Sequence, residues 1–76
     1  KYEESIKCYD KAIQIEPEDI ESWSDKGLSL FNLKKYEESI TCFDKSIQID
    51  PEYLYAWNSK GLSLNMLGKY EESIEC

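Results

Sequence analysis

An all-α fold of stacked helix pairs is predicted by three observations. The sequence repeats itself every 34 residues, its apolar residues recur at steps of three and four, and a proline follows each second helix on the same period. Laying residues 1–42 over residues 35–76 gives 28 identities in 42 pairs, with Lys1-Tyr2-Glu3-Glu4-Ser5-Ile6 returning at Lys35–Ile40 and Lys69–Ile74. The three cysteines, Cys8, Cys42 and Cys76, are also one period apart, so they mark the repeat before they mark any chemistry.

The elements follow in order. A helix is predicted over Tyr2–Ile15, and Pro17 prevents its continuation. Ile20, Trp23, Gly27, Leu30 and Leu33 form the apolar stripe of the next helix, with Gly27 small enough to admit a neighbouring helix closely. Glu18, Asp19 and Glu21 open that helix at the positive end of its dipole, and Lys34 and Lys35 stand at the negative end. Tyr36, Ser39, Ile40, Phe43, Ser46 and Ile47 make the stripe of a third helix, opened by Glu37 and Glu38 and stopped by Pro51. A fourth is expected over Tyr53–Leu67, ended by Gly68 in the left-handed conformation, and a fifth begins at Tyr70. Helices of about 14 residues bury such stripes only by stacking copy on copy.

Composition removes several function classes. The 76 residues carry 16 Asp and Glu against 9 Lys, with no Arg and no His, for a formal net charge of -7. Nucleic-acid binding draws its affinity from basic residues neutralising phosphates, so that partner is not expected. The absence of His removes the commonest general base and metal ligand, and nothing places a nucleophile beside its base. No enzyme activity, cofactor or metal site is expected. No apolar run approaches the ~20 residues of a membrane span, so no membrane partner is expected. The odd cysteine count without tight pairing points to reduced thiols and a cytoplasmic setting. Equivalent cysteines one repeat apart should lie about 8–10 Å from each other, beyond the ~7 Å limit for a disulfide. With 41% hydrophobic and 13% aromatic residues the chain is too apolar for a disordered acidic tail.

With those residues in view, the sequence resembles the tetratricopeptide repeat family, whose 34-residue unit carries the pattern W-x2-L-G-x2-Y, then A-x3-F, then P. Trp23, Gly27, Phe43 and Pro51 match in the complete copy, Trp57 and Gly61 in the next, and Pro17 closes the first. Lys26 and Lys60 stand where the pattern has Leu, Leu30 and Leu64 where it has Tyr, and Ser5, Ser39 and Ser73 where it has Ala. The resemblance implies a right-handed superhelical solenoid of antiparallel helix pairs. It also sets the register: residues 1–17 as the second helix of a partial repeat, 18–51 as a complete repeat, and 52–76 as the first helix and the start of the second helix of a further one. The chain is therefore expected to be an internal segment of a longer array.

Comparison of the copies separates what the architecture dictates from what it leaves free. Most non-conservative differences fall in the first helix: Asp19/Tyr53, Glu21/Tyr55, Ser22/Ala56, Ser24/Asn58, Asp25/Ser59, Phe31/Asn65 and Asn32/Met66. At ~100° per residue, Glu21, Asp25, Leu28 and Asn32 fall within about 60° of one another, and Trp23 and Leu30 point the other way. The resemblance implies that this variable face lines the concave groove that holds peptides. The predicted groove residues are Glu21, Ser24, Asp25, Leu28 and Asn32 in one copy, and Tyr55, Asn58, Ser59, Leu62, Asn65 and Met66 in the next. Leu28 and Leu62, identical in the copies, either pack against the neighbouring first helix or form an apolar floor for a ligand.

The expected function is a protein-interaction scaffold that binds a peptide or protein segment in this groove. Some members of the family grip acidic chaperone tails with Lys, Arg and Asn on this face; here Asn58 offers an amide, but no Lys or Arg falls on it. A neutral, apolar or basic partner is therefore expected, not an acidic one. The alternative is a self-association module: apolar repeat ends cut through by the register would be covered by end-to-end stacking into a homo-oligomer. Trp23 and Trp57 are expected in the core, Tyr2, Tyr36 and Tyr70 in the core or at hinges, and Tyr53 and Tyr55 against a ligand. The paired Glu3-Glu4, Glu37-Glu38 and Glu71-Glu72 are read as dipole support and not as an acid–base couple.

Overall fold

A computed structural model describes the backbone of residues 1–75 and the side chains of residues 1–69 and Glu71. It contains four helices, α1 (Tyr2–Ile15), α2 (Ile20–Asn32), α3 (Tyr36–Ile49) and α4 (Leu54–Glu75). Their order of contact is the order of the chain, α1 on α2, α2 on α3 and α3 on α4, with a smaller contact between α2 and α4. Phe31 meets Tyr36, Gly27 meets Phe43 and Ser24 meets Ser46, so the numbers rise along α3 as they fall along α2. The same holds for Ser39 with Ser63 and Asp44 with Lys60, which makes α3 and α4 antiparallel as well. Alternate helices thus form two layers, and the smallest dimension of the Cα trace, 13 Å, leaves no space for a third. Among the described residues no helix is long and apolar enough to cross a membrane.

The helix starts follow the charge pattern. Glu3 and Glu4, Glu21, and Glu37 and Glu38 occupy the first turns of α1, α2 and α3. No N-cap side chain bonds a free N–H there, so the carboxylates act through the helix dipole. Helix α2 ends in a paired arrangement in which Lys35 N–H donates to the Leu30 carbonyl and Lys34 N–H to the Phe31 carbonyl. Lys34 holds the left-handed conformation this needs, at φ 64°.

The repeat register does not recur at Gly68. The sequence predicts a helix end at Leu67 and a new helix from Tyr70, yet α4 runs unbroken for 22 residues from Leu54 to Glu75 and Gly68 keeps a negative φ. Glycine permits a left-handed turn without forcing one. Leaving the helix gives up backbone hydrogen bonds, which is offset only when the next helix packs back, as α3 does on α2. Among the described residues no helix packs back on α4 beyond Gly68, so straight continuation wins. Cys76 lies outside the described residues, as do the side chains of Tyr70 and Glu72.

The core is small and contains much serine. Leu30, Tyr36, Cys42, Phe43 and Ala56 are its buried apolar members, and Ser22, Ser24, Ser29, Ser39, Ser46 and Ser63 are buried with them. A buried hydroxyl without a partner costs about 1–3 kcal/mol, and among the described residues no side-chain oxygen or nitrogen that is itself fully buried lacks one. Ser24 and Ser46 Oγ are 2.9 Å apart, and Ser46 donates to the Cys42 carbonyl at 3.3 Å. Ser39 Oγ lies 2.9 Å from the Tyr36 carbonyl and 3.1 Å from Ser63 Oγ. Where the family pattern has Ala at Ser39, this chain thus has a hydroxyl bridge between α3 and α4.

Candidate functional site

The candidate site is the side of α2 and α4 turned away from α1 and α3. In α2, Lys26 reaches Asp10 of α1 and Gly27 receives Phe43 of α3. Both directions lie about 100° or more from the stripe Glu21, Asp25, Leu28 and Asn32. That stripe is exposed along its whole length. Its counterpart in α4, one period on, is Tyr55, Ser59, Leu62 and Met66, of which Ser59 and Met66 are half-buried. Leu28 is 42% and Leu62 51% exposed. Part of each leucine side chain is therefore open on this face.

Ser24 does not belong to this face. It is 1% exposed and bonded to Ser46 on the far side of α2. Its position, about 60° from Glu21 on the helical wheel, is enough to turn it under α3. Asn58 and Asn65 occupy in α4 the positions of Ser24 and Phe31, the face that α2 turns to α3. Both are exposed, because among the described residues no helix lies there.

Aromatic residues border the α4 half. Tyr55 stands edge-on to Phe43 with centroids 6.4 Å apart, and Tyr53 packs beside Tyr55 at 5.9 Å. Phe43 is fully buried and holds Tyr55 from behind, leaving the outer part of its ring exposed. The electrostatics are divided: Glu21 and Asp25 make the α2 half negative, whereas Tyr55, Ser59, Leu62 and Met66 carry no charge. No cation projects from either stripe.

The tryptophans depart from their expected core positions. Trp23 is half-buried and Trp57 is 47% exposed. Each indole N–H donates to the carbonyl of the proline six residues earlier, Trp23 to Pro17 at 2.9 Å and Trp57 to Pro51 at 2.7 Å. They therefore fasten the incoming turn to the helix. Helix α3 supplies Lys45, 5.9 Å from the Trp23 ring centre, and nothing equivalent covers Trp57 among the described residues. Tyr2, also expected in the core or at a hinge, is exposed.

Two residue pairs emerge from the structure that the motif comparison passed over. Lys26 and Asp10 are 2.6 Å apart, and one period later Lys60 and Asp44 repeat the bond at 2.6 Å. The same lysines lie 5.8 Å and 5.9 Å from the ring centres of Trp23 and Trp57. Where the family pattern has Leu, the lysine stem supplies apolar cover and its ammonium joins successive helices. The signal was present in the sequence, as an Asp and a Lys 16 residues apart in both copies.

The chemistry of the remaining groups is quiet. Cys8 is exposed and Cys42 buried, and burial pushes the Cys42 thiol up to about 11, with Lys26 opposing and Asp10 and Glu38 adding to the rise. Cys42 is 3% exposed and belongs to the packed core. Among the described residues no group of three Cys, Asp or Glu side chains is placed to hold a metal ion.

Models of known families match along the chain. Two described as tetratricopeptide repeat match residues 20–53 and 42–75, and one described as TPR repeat matches residues 1–34, so that together they run from residue 1 to residue 75. No curated protein matches the chain.

Proposed function

Since the chain belongs to the tetratricopeptide repeat family, whose repeats serve generally as protein–protein interaction modules, we propose that it binds an extended peptide segment across the outward stripes of α2 and α4. The observation that carries this reading is the exposure of Leu28 and Leu62 at equivalent positions of neighbouring helices. Two leucines bordered by polar side chains form an apolar floor with a polar rim, as recognition surfaces do. Glu21 and Asp25 favour a basic or neutral segment at the α2 end, and Tyr55 and Met66 favour apolar side chains at the α4 end. An acidic segment would meet two carboxylates and no cation.

Matched peptides that differ only in acidic or basic residues test the preference, followed by Trp23 and Trp57 fluorescence. Tighter binding of the basic peptide, weakened by salt and by Asp25→Asn, is the expected result. Micromolar, salt-sensitive binding of the acidic peptide would overturn the charge assignment.

A further inference from the structure

The seam between α2 and α4 brings together an aromatic ring, a carboxylate and two leucines at fixed levels along the helices. The two helices are parallel, since each is antiparallel to α3, and they touch. Glu21 and Tyr55 are equivalent positions and stand at one level, and Leu28 and Leu62 stand at another. Neighbouring helices set such equivalents about 8–10 Å apart. The ring of Tyr55 is held edge-on by Phe43 and flanked by Tyr53, so its orientation is set before anything binds. Both indoles of the molecule already have cations of the chain beside them. Lys26 and Lys45 lie 5.8 Å and 5.9 Å from the ring centre of Trp23, and Lys60 lies 5.9 Å from that of Trp57. Among the described residues no ammonium is so placed at Tyr55, and Glu21 forms no ion pair.

We propose that this seam selects an arginine, its guanidinium packed on the exposed part of the Tyr55 ring and its N–H groups turned to Glu21, in a polyproline II segment whose apolar residue three positions away rests on Leu28 and Leu62. This deepens the peptide-binding reading of the two stripes and rests on it. Arginine fits better than lysine because a planar guanidinium can lie on a ring and still donate from its edge to a carboxylate, and it is the more weakly hydrated of the two cations. A ring already fixed by its neighbours gives up little freedom on receiving it. The backbone conformation follows from the spacing. Seven residues separate Glu21 from Leu28 and Tyr55 from Leu62, a rise of about 10.5 Å. A polyproline II segment returns a side chain to the same side every third residue, after about 9.3 Å. A β-strand does so every second residue, at about 6.6 Å and then about 13.2 Å, and matches neither level.

Titration of the whole chain with the synthetic peptide Arg-Pro-Pro-Leu, blocked at both ends and followed by amide chemical shifts, tests the proposal. Replacing the arginine by citrulline, which keeps the shape and removes the charge, should weaken binding about tenfold. Moving the leucine one residue nearer or farther should weaken it as well. Tyr55→Phe should keep the preference for arginine over citrulline, whereas Tyr55→Leu should reduce it to about twofold, with circular dichroism reporting the fold. Glu21→Gln, on an exposed turn, should reduce the preference without touching the packing of the helices. Equal binding of the arginine and citrulline peptides, with shifts at Leu28 and Leu62, would overturn the arginine assignment and leave the peptide-binding stripe standing. Shifts confined to other surfaces, or none up to millimolar peptide, would overturn both.

Discussion

The ring of Phe43 fills the space a side chain would need at Gly27: a Cβ there would lie 2.8 Å from Cε1 and 2.9 Å from Cζ. Phe43 is fully buried and has Tyr55 against it, so it has little freedom to withdraw. Gly61, one repeat later, has no such neighbour. The same substitution should therefore act with opposite sign at the two positions. Gly27→Ala gains helix propensity of about 0.8–1.0 kcal/mol but overpacks at a cost of about 1–3 kcal/mol, for an expected net loss of up to about 2 kcal/mol. Gly61→Ala should stabilise by up to about 1 kcal/mol. Urea denaturation of both variants checks this, and a shared sign would show that the ring does not set the close approach.

Lys34 takes a left-handed conformation that costs a residue with a Cβ about 1 kcal/mol. The loop keeps it because Lys34 and Lys35 N–H groups satisfy carbonyls at the end of α2. Lys34→Gly should raise stability by about 0.5–1 kcal/mol in thermal or urea unfolding, and Lys34→Ala should not.

The Ser39–Ser63 bridge gives a third expectation, read from a mutant cycle. Ser39→Ala leaves the fully buried Ser63 hydroxyl without its neighbour and should cost about 1–3 kcal/mol. The double variant Ser39→Ala with Ser63→Ala should recover most of that loss, because both polar groups leave together. A double variant as unstable as the sum of the singles would mean that the hydroxyls do not couple.

Cys42 and Cys8 should separate in reactivity. The thiolate is the reactive form, and burial holds Cys42 neutral with a raised value near 11, whereas Cys8 lies exposed. Iodoacetamide at neutral pH should label Cys8 readily and Cys42 only as urea unfolds the chain, which peptide mass mapping distinguishes. The sign of the linked stability follows. The folded state favours the neutral thiol, so its contribution is complete below about pH 9 and is lost as the pH rises to about 11. Cys42→Ala should remove this part of the alkaline loss.

Helices α1 and α3 end where the stripes and prolines indicated, because an apolar face and a residue without an N–H act locally. The end of α2 was legible from another local signal, Lys34 and Lys35 at the negative end of its dipole. What could not be read from local pattern depended on a neighbour. Gly68 turns only if a following helix packs back, so its motif position did not decide its conformation. Ser24 sits at the margin of the variable stripe, and only the placement of α3 shows that its hydroxyl faces inward. Trp57 carries the same motif as Trp23 and differs by the helix above it. On the candidate face, the spacing of Glu21, Asp25, Leu28 and Asn32 was sufficient, since one helical wheel fixes which residues share a side.

The repeated stripe of α2 and α4 is the central claim, and amide chemical-shift mapping with a peptide selected from an unbiased library tests it most directly. The account predicts a neutral or basic consensus and shifts concentrated at Glu21, Asp25, Leu28, Tyr55, Ser59, Leu62 and Met66. An acidic consensus, or shifts concentrated on the outer surfaces of α1 and α3, would contradict it.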